Sequence, residues 1–192
     1  MSHGIRFALF LSALALVASP AGAAPVIANG GFDDEVPRNV EGGGWNSEHI
    51  DGIGGWYSWQ GAPAPSFRLN EAGSPSSDPR IWQTVDGFEI GQAYTLYGDY
   101  ALGVAYGAPA NSFEVRVDGV TVLSLGPTTA QQQGGTVFEP FQVTFIATAT
   151  SHVIEIAAEC NGSDHDYFVD NLSFVEPTAT ARSSWGAVKS LF

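Results

Sequence analysis

Between Arg80 and Val175 the chain alternates apolar and polar residues in short runs, each closed by Gly, Pro, Asn or Asp. Side chains of an extended strand point to opposite faces in turn, so residues two apart share a face. The runs predict strands over Arg80–Val85, Tyr94–Leu102, Ser112–Val117, Val120–Leu125, Phe138–Ile146, His152–Ala158 and Tyr167–Val175. Phe113, Val115 and Val117 fall on one face, and Ser112, Glu114 and Arg116 on the other. Phe141, Val143 and Phe145 alternate with Gln142 and Thr144 in the same way. One apolar and one polar face marks an antiparallel sheet, and two such sheets must cover each other. The predicted fold is an all-β, antiparallel β-sandwich. Asp118-Gly119, between Val117 and Val120, reads as a two-residue hairpin turn, whose tight form needs positive φ.

The segment from Asn39 to Pro79 breaks this pattern. It is rich in Gly, Pro and Ser, yet it holds Trp45, Trp56 and Trp59 within a stretch that reads as a long loop. Three tryptophans argue against a disordered linker. At the start, one Arg, an apolar run from Phe7 to Ala18 and the small residues up to Ala24 have the layout of a secretory signal peptide, residues 1–24. The predicted organisation is therefore a leader, a domain over 25–176, and a tail over 177–192 that forms a short helix or a sorting tag. Export places the protein outside the cell or in a periplasm.

Composition narrows the partners. The chain carries a formal charge of −13, and loss of Arg6 with the leader makes the mature protein more acidic still. Such a charge repels nucleic-acid backbones and anionic lipid, and it leaves carboxylates available for a divalent cation. Cys160 is the only cysteine, so neither an internal disulfide nor a cysteine zinc cluster is possible. No Gly-x-Ser-x-Gly elbow, His-Glu-x-x-His motif or phosphate-binding loop is present, and His152 and His165 lack evident partners. These absences point away from an enzyme. Asn161 and Asn171 open glycosylation sequons.

Asp170 poses a specific problem. By alternation it shares a face with Phe168, Leu172 and Phe174, a row that looks like core. A buried carboxylate must be compensated, so Asp170 either pairs with an Arg, caps backbone amides, lies at a wet rim or binds a metal. Near the mature N-terminus, "NGGFDD" places Gly30 and Gly31 at a sharp turn, followed at once by Asp33 and Asp34. Calcium takes six to eight oxygens from carboxylates and backbone carbonyls. If the first and last strands are neighbours, these residues meet.

Together these stretches resemble the galactose-binding-like jelly-roll domains, among them carbohydrate-binding modules of the cellulose- and xylan-binding type and secreted cell-wall-associated proteins. The likeness is carried by "NGGFDD", by "IWQTVDGFEIGQAYTLYGDYAL", by the hairpin "VRVDGV" and by the closing "YFVDNLSF", in that order. The resemblance implies a jelly-roll β-sandwich, a carbohydrate partner and a structural calcium (Ca2+). By position the calcium would draw on Asp33 and Asp170, with backbone oxygens near Asn29 and Gly31. Asp33 stands where such domains often have Glu, a shorter arm.

Sugars present apolar C–H faces ringed by hydroxyls, which flat aromatic rings with polar handles suit. Tyr94, Leu96 and Tyr100 share one row of their strand, leaving Thr95, Tyr97 and Asp99 outward; Trp82 is outward on its own strand. Trp82, Tyr97 and Asp99 on adjoining strands would form a stacking platform, with Tyr57 and Trp59 as a wall and Arg68, Arg80 and His49 as possible donors. The expectation is a secreted, non-catalytic carbohydrate-binding module. The alternative is an extracellular structural or adhesive domain that binds a protein through its aromatic loop.

Overall fold

The structure, a computed structural model, describes residues 24–50, 54–71, 78–105, 112–126, 137–159 and 165–175. The leader, the tail, Cys160 and Asn161 lie outside these residues.

Among the described residues, ten strands form two antiparallel five-stranded sheets. The first sheet has the order β1-β4-β9-β6-β7, with β1 at Asn46–Glu48, β4 at Arg80–Asp86, β9 at Ser151–Glu159, β6 at Ser112–Val117 and β7 at Val120–Leu125. The second has the order β2-β3-β10-β5-β8, with β2 at Gly55–Tyr57, β3 at Ser66–Glu71, β10 at His165–Ser173, β5 at Ala93–Ala105 and β8 at Glu139–Ile146. The fold is a β-sandwich jelly roll, as the alternation predicted. Strands β4 to β10 coincide with the predicted runs to within a few residues. The three strands inside the Gly- and Pro-rich segment, β1, β2 and β3, lie outside the predicted runs; β1 and β2 are only three residues long, whereas β3 alternates Phe67 and Leu69 with Ser66, Arg68 and Asn70.

The facing rows fill the interior as expected. Ile81, Val85, Leu96, Tyr100, Phe113, Val115, Phe141, Ile154, Ile156, Tyr167 and Val169 are all buried in one core. The Asp118-Gly119 turn has φ of 51° and 77°, the tight hairpin form. Behind it, Asp118 Oδ2 meets His152 Nδ1 at 2.6 Å and Asp118 Oδ1 accepts the Val153 amide at 2.9 Å. The amides of Thr148 and Ala149 donate to His152 Nε2, so the ring proton sits on Nδ1. His152 thus has the partner that its isolated position in sequence hid: it pins one hairpin to the next.

The N-terminal segment is sewn in by polar contacts. Gln83, buried among apolar neighbours, accepts the Ala28 amide and donates to the Ala28 carbonyl. Asn29 folds its side-chain amide onto the carbonyls of Asp34 and Gly43. Fully buried Trp45 stacks on Phe32 at 5.7 Å and donates its indole N–H to the Asn29 carbonyl. The following turn lies against the last strand, where the Leu172 amide donates to the Gly30 carbonyl at 2.9 Å. The two ends of the domain therefore meet, as the calcium argument required.

Candidate functional site

The inward row of β10 is Tyr167, Val169 and Leu172, not the row containing Phe168. The pairing of β10 with β5 shifts between Asp170 and Ser173, and Asn171 at that shift has φ of 54°. A β-bulge places one extra residue in the strand, and side-chain parity changes across it. Phe168 and Asp170 therefore lie on the outer face of the second sheet while Leu172 returns to the core. The expected common row of Phe168, Asp170 and Leu172 is broken by this bulge.

Residues directly opposite each other in antiparallel strands share a face. Phe168 pairs with Arg68 on β3 and with Ala101 on β5, Asp166 pairs with Asn70, and Asp170 pairs with Asp99. Tyr57 on β2 pairs with Ser66. The outer face of β2-β3-β10-β5 thus gathers Tyr57, Arg68, Asn70, Asp99, Asp166, Phe168 and Asp170. Gly103 leaves room for the Phe168 ring, which a Cβ there would meet at 2.4 Å.

This face is polar yet largely covered. Arg68, Asn70, Asp99, Asp166 and Asp170 are all buried. Arg68 forms an ion pair with Asp166, and its guanidinium lies 5.4 Å from the Tyr57 ring centre and 5.5 Å from that of Phe168. A cation between two ring faces gains from their negative quadrupoles. Asp170, with no exposed surface, accepts the Ala62 amide on Oδ2 at 2.6 Å and the Asn171 amide on Oδ1 at 2.7 Å. Burial pushes its carboxyl up to about 7, against the pull of those two amides, and the negative charges of Asp99 and Asp33 push the same way. Asn171 Nδ2 donates both to the Ala62 carbonyl and to Asp99 Oδ2.

Asp170 and Asn171 therefore grip Ala62 by its N–H and its C=O. Ser66 Oγ adds a bond to the Gln60 carbonyl. The loop so held carries Trp59, 74% exposed, with its ring edge-on to Tyr57 at 5.1 Å. A series of contacts runs from exposed Trp59 through Tyr57 and Arg68 to buried Phe168, which also touches half-buried Phe138. Engaging its Nδ2 in this grip, Asn171 does not present a free glycosylation acceptor.

Of the expected sugar-contact residues, Tyr57, Trp59, Tyr97 and Asp99 lie with the second sheet, Tyr97 and Asp99 outward as the alternation indicated. Trp82 does not join them. β4 belongs to the first sheet and β5 to the second, so Trp82 and Tyr97 are on different sheets and no shared platform forms. Trp82 lies across from Asn46 and Glu155, under the Arg80 guanidinium at 5.4 Å. Arg80 itself pairs with Glu48, beside His49. Sequence reasoning missed Asp166, Phe168, Asn171 and Ala62 as site residues. The Arg68–Asp166 pair links positions 98 apart, which no local pattern reveals.

Three of the four residues expected to hold calcium, Asn29, Gly31 and Asp33, lie in the N-terminal segment that meets β10 at Leu172, two positions beyond Asp170, and their oxygens are already used in part. The Asn29 carbonyl accepts both the Phe32 amide and the Trp45 indole. Each Asp170 oxygen accepts one amide, leaving lone pairs on both, and Asp33 is exposed beside the Gly30-Gly31 turn. Among the described residues, no three His, Cys, Asp or Glu side chains gather into a metal cage.

No family model and no curated protein matches the chain. Solved structures do. A family 61 carbohydrate-binding module in complex with β-1,4-galactotriose is 12% identical, with a TM-score of 0.52 over 79% of this chain and 97% of that one. A family 16 carbohydrate-binding module is 18% identical, with a TM-score of 0.51 over 78% and 99%. A Stig cyclase from Fischerella sp. TAU, in complex with an indole compound, is 16% identical, with a TM-score of 0.51 over 79% and 96%. The chain thus shares the β-sandwich jelly-roll fold of these structures.

Proposed function

We propose that this chain is an exported, non-catalytic carbohydrate-binding module that lays a poly- or oligosaccharide against Trp59 and Tyr57 on the outer face of the second sheet. The observation that carries the reading is Trp59: a large ring turned to solvent on a loop that Asp170 and Asn171 hold in place. An exposed aromatic ring that is also immobilised loses little freedom when a sugar stacks on it. Tyr97, half-buried, continues the face along β5 and supplies a polar edge for hydroxyls. The kinship of fold with carbohydrate-binding modules supports the class of ligand, and the family 61 module supplies a first probe.

Non-catalytic binding is supported by the carboxylates themselves. Asp166 is paired with Arg68, Asp170 with two amides and Asp99 with Asn171. A glycosidase needs two carboxyl groups free to flank a scissile bond. The test is a glycan array with the purified domain, run beside a turnover assay on the bound sugars. Capture without release of products is expected. No captured glycan, or steady product formation, overturns the reading.

A calcium ion at the junction of the N-terminal turn and β10 belongs to the same proposal. The Gly30–Leu172 bond supports it by joining the two segments. With Asn29 already engaged, the ion would draw on Asp33, the Gly31 carbonyl and the free lone pairs of Asp170. It would supply a crosslink between the ends of the fold.

A further inference from the structure

Arg68 is over-provided with charge compensation and under-provided with hydrogen bonds. Its side chain is 7% exposed and its positive charge is matched by Asp166, itself buried. Its Nε–H, however, has no partner, the single such buried side-chain atom among the described residues. A buried donor without an acceptor destabilises the fold, so a native structure that keeps one calls for a reason. The donor belongs to the guanidinium flanked by Tyr57 and Phe168, and Tyr57 in turn touches Trp59.

What is missing here is an acceptor and not a charge. A second anion would face Asp99, Asp166 and Asp170 on the same sheet face, in a chain whose formal charge is −13. A neutral oxygen completes the guanidinium without adding charge. Such oxygens are the hydroxyl, ring and bridging oxygens of an uncharged sugar. Tyr57 is the wall that can yield: it ends a three-residue edge strand and is only half-buried, whereas Phe168 is packed on Gly103. Side-chain turns of this size are common when a ligand binds.

We infer that Arg68 is the specificity-determining donor of the site, giving its Nε–H to a neutral sugar oxygen once the Tyr57 ring turns aside, so that the module selects uncharged glycans over uronates. This rests on the proposed carbohydrate reading and deepens it.

The experiment is a calorimetric titration of the intact domain with β-1,4-galactotriose, cellohexaose, xylohexaose and a galacturonate trimer. It is paired with a ¹⁵N-resolved spectrum of the arginine Nε–H groups. Arg68→Lys keeps a cation for Asp166 and removes the Nε–H; its melting temperature is recorded to show that it folds. A neutral oligosaccharide should bind at least about tenfold more tightly than the uronate. The Arg68 Nε–H resonance should shift on saturation, and Arg68→Lys should weaken binding by about tenfold, near the loss of one well-made hydrogen bond. If Trp59→Ala abolishes binding while Arg68→Lys binds like the parent with an unmoved Nε–H signal, this inference fails and the carbohydrate reading stands. A preference for the uronate overturns it equally. If none of the four sugars binds, both fall together.

Discussion

Asp170 holds the amide of Ala62 at 2.6 Å, across 108 positions of sequence. A carboxylate at the end of the last strand thereby fixes the loop that carries Trp59. Together with Asn171, which bonds the Ala62 carbonyl, it turns a Pro- and Gly-rich connection into a rigid shelf. Removing the carboxylate strands the Ala62 N–H in the loop, along with the Asn171 N–H on β10, a loss of about 1–3 kcal/mol for each unsatisfied donor. Asp170→Ala should therefore raise amide hydrogen exchange across residues 58–62 well before global unfolding. Unchanged protection there would show that the loop is held by something else.

Gly30 answers to backbone geometry. A Cβ at this position would sit 2.1 Å from the Leu172 carbonyl oxygen, a backbone atom that cannot swing away. Gly30→Ala must break the contact between the N-terminal turn and β10, at a cost of about 3 kcal/mol or more. Gly119→Ala, which meets nothing within 4 Å but has φ of 77°, carries only the strain of that conformation, about 1 kcal/mol. Denaturant midpoints of the two variants should differ accordingly. Equal midpoints would refute the close approach.

Acid should loosen the hairpin junction. Burial raises the Asp118 carboxyl, but the Val153 amide and the His152 ring together outweigh it and hold the group below its ordinary value. A depressed carboxylate stabilises the fold fully above its unfolded value of about 4, and the contribution is lost as pH falls through the lower folded value. The denaturation midpoint should therefore drop between about pH 5 and pH 2 with a component that Asp118→Asn removes. The same slope in the variant would assign the acid sensitivity to other carboxylates.

Metal removal tests the junction. A ligand that binds only the folded state raises its stability by mass action. Millimolar calcium should raise the melting temperature of chelator-treated protein, and Asp33→Ala should reduce that rise. A melting temperature indifferent to both calcium and chelator would show that the Gly30–Leu172 bond and its neighbours close the fold unaided.

Much of the fold was legible because alternation reports burial directly. β4 through β10 could be drawn from their apolar rows, and the Asp118-Gly119 turn behaves as its residue types require. Alternation tells which face a residue takes, but not which sheet its strand joins. Trp82 and Tyr97 both point outward, yet from different sheets. Alternation also assumes a regular strand, and the bulge at Asn171 reverses parity for Asp170. β1 and β2 were hidden because three residues are too few to show a period, whereas β3 does alternate and was obscured only by the Gly, Pro and Ser residues around it. The Arg68–Asp166 pair and the grip on Ala62 exist only once distant strands have paired.

The claim on which the rest depends is that sugar lies against the outer face of the second sheet. A side-by-side titration of Trp59→Ala and Trp82→Ala with the best glycan of the array addresses it most directly. Trp59 stands on a loop held against the second sheet and Trp82 on a strand of the first, so only one can serve that face. Loss of binding in Trp59→Ala, with affinity kept in Trp82→Ala, is the predicted result. Binding that survives without Trp59 and vanishes without Trp82 would move the site to the other sheet and contradict the account.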